Sequence, residues 1–169
     1  MDQDPDPKGT FDFKIYTDGS FRRPYFGAWA YVILDKDGKA VYEDAQAVYH
    51  TTNNRVELMA ILEAISTLEE GATAQVFTDS QYAKNCCAFW IKKWKESNWL
   101  TLAGLPVANR EILEKISVES AKRKLWFSWV RAHNGNTYNE MVDEKAQELT
   151  QDMLTRFKAG EPLPAKEEG

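Results

Sequence analysis

The sequence predicts a mixed α/β fold: a three-stranded antiparallel meander followed by helix, strand, helix, strand and helix. Three observations predict it. The first fifty residues hold β-branched and aromatic runs interrupted by "DKDGK" (35–39), whose Asp37-Gly38 is strong hairpin chemistry. From Asn54 onward the apolar period becomes helical, through Leu58, Ile61, Leu62, Ile65 and Leu68. Beyond it, short strand-like runs at 74–79 and 125–131 alternate with helical stretches, so both can lie parallel to the first strand through helical crossovers.

Taken in order, residues 1–10, "MDQDPDPKGT", read as a flexible acidic tail. Residues 11–17 read as a strand that stops where "TDGS" begins, 25–34 ("YFGAWAYVIL") as the second strand, and 40–49 as its return. The first helix starts near Asn54 and ends by Gly71. Strand 74–79 follows, then a helix over 80–95, a connection over 97–107 with Gly104 and Pro106, and a helix over 108–123. After strand 125–131 and the loop "AHNGNTY" (132–138), a last helix carries Val142, Ala146, Leu149 and Met153 on one face. The folded domain is expected over 11–154, with 155–169 a second flexible tail.

Composition narrows the function classes. At 169 residues, 43% apolar and 28% charged, the chain has the make-up of one globular domain. No stretch has the roughly 20 apolar residues of a spanning helix, and the N-terminal residues lack a signal peptide's basic start, so a cytoplasmic location and no membrane partner are expected. Cys86 and Cys87 are adjacent, poor spacing for a disulfide framework or a zinc site, and read as small buried side chains. The net charge of −5 argues against a nucleic-acid partner only if its distribution is ignored. The tail is acidic, while "KNCCAFWIKKWK" (84–95) and "SAKRKLWFSWVR" (120–131) each hold four basic residues and no acid.

Four acids stand out. Asp18 and Asp79 each follow a threonine at the end of a predicted strand; Glu57 and Asp143 lie near the starts of helices, beside their apolar stripes. Each has a local explanation: a turn for Asp18, a helix cap for Asp79, a capping box with Asn54 for Glu57, a dipole-facing acid for Asp143. Yet sites in open α/β sheets collect at the carboxyl ends of parallel strands, and two strand ends with two helix starts on one rim bring four carboxylates towards one place. Such a cluster repels itself unless cations neutralise it. Magnesium fits, because it binds a few carboxylates, keeps waters and leaves positions for phosphate. Two ions about 4 Å apart are a known device for splitting a phosphodiester. His133, in the loop before the last helix, has the side chain whose pKa suits proton transfer near neutral pH, and Gly135 loosens that loop. His50 has no comparable setting and reads as structural.

In order and spacing, "TDGS", "TTNNRVELMAI", "TDSQY", "WIKKWK" and "WVRAHNGNTYNEMVDEKA" resemble ribonuclease H of type one, the bacterial-type ribonuclease HI, over roughly 11–154. The resemblance implies a five-stranded mixed sheet flanked by helices. It also implies a magnesium-dependent endonuclease that cuts the RNA strand of an RNA–DNA hybrid, leaving 3′-hydroxyl and 5′-phosphate ends, with manganese a possible substitute. It places the metal on Asp18, Glu57, Asp79 and Asp143, and gives His133 a part in proton transfer or product release. For the substrate it implies Asn53, Asn54 and Gln81 at the 2′-hydroxyls, the backbone at Gly19 and Ser20, and Thr52 at a phosphate of the DNA strand. Trp90, Lys92, Lys93 and Trp94 match the family's basic protrusion. The bend after the first motif departs from the family: "FRRPYFGAW" keeps only Pro24 and Gly27, so the family's substrate contact there does not carry over, though Arg22 and Arg23 could serve a phosphate instead. A monomer is the default expectation. A hybrid-binding relative that no longer cuts is disfavoured by the presence of all four acids and His133. A transposase- or integrase-like strand-transfer domain would not pair "TTNNR" with "HNGN".

Overall fold

The second strand is the spine of the molecule. The computed structural model describes residues 11–133 and 135–162. In it β2 (Phe26–Leu34) is buried at every position, as a continuous apolar run covered on both faces must be. It pairs antiparallel with β1 (Phe13–Arg22) on one side and with β3 (Ala40–Tyr49) on the other. The β2–β3 turn closes through Gly38 N–H donating to the Asp35 carbonyl at 3.0 Å, with Gly38 at φ +80°. β4 (Thr73–Thr78) and β5 (Lys124–Trp129) run parallel to β1, giving the order β3-β2-β1-β4-β5.

Among the described residues, helices cover both faces. α1 (Asn53–Thr67) and α4 (Arg110–Ala121) pack one face, where Ile61 and Ile65 of α1 and Ile112 and Ile116 of α4 join Ile15, Ile33, Val76 and Phe127 of the sheet. α5 (Thr137–Lys158) covers the other, setting Val142 and Ala146 against Tyr16, Ala30 and Val32. Between β4 and α4 the chain forms α2 (Gln81–Asn85), a π turn (Cys86–Trp90) and α3 (Ile91–Glu96). None of the described helices is long and apolar enough to cross a membrane.

Several boundaries differ from the sequence expectations, each for a physical reason. β1 does not stop at Thr17 and makes no turn at "TDGS". It runs on to Arg22 because β2 keeps pairing with it, while its parallel partner β4 leaves after Tyr16. α1 begins one residue earlier, its cap being Thr52, whose Oγ1 accepts from Arg55 N–H, and it ends at Thr67 rather than Gly71. The single helix expected over 80–95 is broken by the π turn. α4 is shorter than 108–123, and β5 ends at Trp129. α5 passes the expected boundary at 155: Phe157 packs on Phe26 with ring centroids 5.2 Å apart, and Arg156 pairs with Asp152 at 3.0 Å. The acidic segment 1–10 and residues 163–169 of the second expected tail lie outside the described residues.

Candidate active site

Two glycines let a helix touch the sheet, and that contact assembles the site. A Cβ on Gly19 would lie 2.8 Å from Val56 Cγ2 and 2.9 Å from the Glu57 nitrogen; one on Gly27, on the neighbouring strand, would lie 2.6 Å from Thr51 Cγ2 and 2.8 Å from Val56 Cγ1. The bare backbone of both strands forms a trough for the first turns of α1. Glu57 is thereby pressed against β1, 4% exposed, with Asp18 beside it at 3%. The Gly19 N–H is shared between them, donating to Asp18 Oδ1 at 2.8 Å and to Glu57 Oε1 at 3.1 Å. Glu57 is therefore no capping-box partner: its carboxylate is spent on β1.

Asp79 comes from the residue after β4. Thr17 Oγ1 donates to the Phe77 carbonyl at 3.1 Å, locking β1 to β4 just before the two strands part. Ser80 caps α2 by accepting from Ala83 N–H at 3.0 Å. Carboxylate oxygens of Asp18, Glu57 and Asp79 all lie within 4.8 Å of one another. Asp143 stands outside this tight trio but near enough that its carboxyl helps to raise Asp18, Glu57 and Asp79. Its Oδ1 accepts from Gln147 Nε2 at 3.0 Å and its Oδ2 lies 3.8 Å from His133 Nδ1. The histidine is 73% exposed, with a left-handed backbone (φ +54°) and Gly135 at φ +83° two residues on. His50, by contrast, stacks on Tyr25 with centroids 4.3 Å apart.

The electrostatics have one sign. Burial first, then the charges of Glu57 and Asp79, push the Asp18 carboxyl far above the ordinary carboxylate range. Burial, then Asp79, raise Glu57, and burial raises Asp79. Glu57 Oε2 is buried without any hydrogen-bond partner. An unpartnered oxygen on a buried carboxylate that sits with two other acids is costly unless a cation completes it. An all-oxygen donor set of this kind fits a hard divalent ion and no soft one.

The family model described as RNase H matches residues 11–151. The chain belongs to the type 1 ribonuclease H family. It is 36% identical over 159 residues to the ribonuclease H of Treponema denticola, covering 85% of this chain and 99% of that protein. Ribonuclease HI of Haemophilus influenzae is 36% identical over 135 residues, 79% of this chain and 86% of that one. Among solved structures, the foamy viral protease-reverse transcriptase in complex with RNA/DNA hybrid superposes with a TM-score of 0.76 at 14% identity, covering 90% of this chain and 22% of that one. LC9-RNase H1, a type 1 RNase H with the type 2 active-site motif, gives 0.72 at 20% identity, over 83% and 72% of the two chains. At such identities these two speak for the ribonuclease H fold alone.

The expected substrate residues lie on the elements that carry the trio and on the segment that follows α2. Thr52, Asn53 and Asn54 are exposed at the start of α1; Ser20 is on β1 and Gln81 exposed at the start of α2. Trp90 and Trp94 meet with centroids 5.7 Å apart, and Trp90 also meets Tyr82 at 6.4 Å, so the pair is packed as well as surface-lying. Lys92 and Lys93 are exposed beside them. Cys86, buried, and Cys87, half-buried, are the first two residues of the π turn.

Sequence reasoning missed the residues that hold these elements in place. Asn109, in a left-handed backbone, accepts from Arg55 Nη1 at 3.3 Å and donates to Tyr82 OH at 3.0 Å, tying α1, α2 and the start of α4 together. Asn136 Oδ1 accepts from the N–H groups of Tyr138 and Asn139, both at 3.0 Å, fixing the start of the helix that carries Asp143. An asparagine one residue before a helix was a readable cap signal; the tie through Asn109 had none.

Proposed function

We propose that this chain is an endoribonuclease that hydrolyses the RNA strand of RNA–DNA hybrids with two Mg2+ ions, giving 3′-hydroxyl and 5′-phosphate ends. The observation that carries the reading is the buried trio of Asp18, Glu57 and Asp79, with its orphan Glu57 oxygen, in a chain of the ribonuclease H family. These three and Asp143 would hold the ions, which when bound activate a water and neutralise charge on the phosphate and the leaving oxygen. The protein's own part is positioning. Gly19 N–H orients two of the carboxylates, and Gln147 turns Asp143 so that its second oxygen faces His133. His133 would assist proton transfer or product release, a part that its exposure and left-handed backbone support.

The exposed amides of Asn53, Asn54 and Gln81 offer donors and acceptors to ribose 2′-hydroxyls, the groups that tell RNA from DNA. Thr52 keeps its hydroxyl proton for a DNA-strand phosphate, since its oxygen accepts rather than donates at the α1 cap. Arg22 and Arg23 are exposed at the β1–β2 hairpin and supply positive charge there. Trp90 and Trp94 give aromatic faces for sugars, and Lys92 and Lys93 neutralise phosphates. Replacing both lysines by alanine is expected to weaken hybrid binding uniformly over sequence. The log–log salt slope should fall by about 2, one per lost phosphate contact, with kcat at saturating hybrid unchanged. Fluorescence-anisotropy titrations at several salt concentrations measure this, and an unchanged slope removes these lysines from the interface.

The function itself is tested with three end-labelled duplexes, RNA–DNA, all-RNA and all-DNA, with Mg2+ or with chelator. Ion-dependent cutting of the hybrid's RNA strand alone is the expected result. Binding without cutting in Mg2+ and in Mn2+ would leave a binding module in place of an enzyme.

A further inference from the structure

Asp79 sits where the parallel ladder runs out. The last β4–β5 pair is Thr78 with Trp129, and the last main-chain bond is Val130 N–H to the Thr78 carbonyl at 2.9 Å. The next carbonyl, that of Asp79, has no strand to meet. It accepts instead from a side chain, Trp129 Nε1–H, at 3.0 Å. The N–H at the other end of the same peptide plane, that of Ser80, donates to Thr78 Oγ1 at 3.1 Å, and Thr78 is fully buried. The Asp79–Ser80 peptide is thus held at both ends. That fixes the Asp79 backbone dihedral next to its side chain, and with it the direction of the carboxylate towards Asp18 and Glu57. Trp129 is 42% exposed, so its ring is not where it is to fill the core. A half-exposed tryptophan whose one donor turns back to the main chain calls for a reason.

We propose that Trp129 is a positioning residue for the ion site, acting through the Asp79 carbonyl. The inference rests on the reading that Asp79 holds a divalent ion. A partner that orients a metal ligand is worth about tenfold or more in metal affinity when removed. Trp129→Phe removes the indole N–H while keeping a smaller aromatic face, so Mn2+ binding without nucleic acid reports positioning apart from any stacking of Trp129 on a substrate.

Isothermal titration of the substrate-free protein with Mn2+ is the direct test. The expected result is binding about tenfold weaker in Trp129→Phe than in the wild type. In turnover the expected signature is a kcat lowered at limiting Mg2+ and recovered as Mg2+ is raised, with KM for the hybrid unchanged. The indole N–H resonance that disappears in Trp129→Phe, one of six in the chain, should exchange slowly in the wild type despite the exposed ring. Equal Mn2+ affinity in the two proteins, or a fast-exchanging indole N–H, overturns the positioning role while leaving the ion site standing. A wild type that takes up no Mn2+ overturns the ion site and this inference with it.

Discussion

Asp18→Asn is expected to lower hybrid cleavage by about a thousandfold or more and, in the absence of divalent ions, to raise the melting temperature. The two effects have one cause. Asp18 is the most strongly shifted member of a trio whose oxygens lie within 4.8 Å of one another. Asparagine keeps an oxygen for the Gly19 N–H and removes the charge. Losing one ion ligand forfeits several kcal/mol of transition-state stabilisation, and each 1.36 kcal/mol is tenfold in rate, hence about a thousandfold. Relieving repulsion equal to about one pKa unit returns about 1.4 kcal/mol, roughly 3–6 °C in a chain of this size. The pH dependence follows in sign. Carboxyls raised in the folded state bind more protons there than in the unfolded chain. Ion-free stability is therefore full below the ordinary carboxylate range and falls as pH climbs towards the raised values. Mg2+ binds the charged form, so its stabilisation grows with pH; at ten times the dissociation constant it is about 1.4 kcal/mol. Melts with chelator and with Mg2+ across pH 4–8 measure both. A variant that melts lower than the wild type without ions, or gains as much from Mg2+, would show that the trio is not a repelling ion site.

The order of strands and helices was legible because each element keeps its own period: the continuous apolar run of β2, the helical stripe of α1, the Asp37-Gly38 turn. What stayed illegible depends on partners far away in sequence. Whether β1 ends at Thr17 is decided by β4 leaving and β2 staying, and no local residue reports that pairing is lost on one side only. The π turn answers a phase problem. Cys86 and Ile91 both have to be buried although five apart, and the Ile91 N–H reaches the Cys86 carbonyl to bring them to one side. The end of α5 is set by Phe157 finding Phe26, 131 positions earlier. For the site, carboxylates at strand ends and helix starts could be read as converging on one rim. The structure draws three of them into a tight trio and sets Asp143 beside it. How they are held could not be read. At Gly19 the missing Cβ makes room for the backbone of α1, and no residue near it in sequence announces that approach.

Gly19→Ala is the substitution that tests this contact, and both stability and activity are expected to fall. Gly19 is in an extended strand paired with Trp29, so alanine suits its backbone and the objection is steric alone. The added Cβ would sit 2.8 Å from Val56 Cγ2, 2.9 Å from the Glu57 nitrogen and 3.0 Å from the Val56 carbonyl carbon. Two of these three are main-chain atoms of a helix, which cannot rotate away, so α1 has to lift from the sheet. Overpacking of this kind costs about 1–3 kcal/mol, a drop of roughly 2–12 °C. The lift also stretches the 3.1 Å bond from Gly19 N–H to Glu57 Oε1 and draws one carboxylate out of the trio. Misplacement by a fraction of an ångström to 1 Å is expected to cost up to about a hundredfold in kcat. Gly38→Ala provides the comparison. That glycine is in a turn at φ +80° with nothing within 4 Å, so alanine there is strained by about 1 kcal/mol and leaves the site alone. If kcat, measured well below both melting temperatures, falls in Gly19→Ala and holds in Gly38→Ala, the loss belongs to geometry rather than to instability. If the two variants lose activity in proportion to stability, α1 is not what sets the carboxylates, and the approach of helix to strand is packing and nothing more.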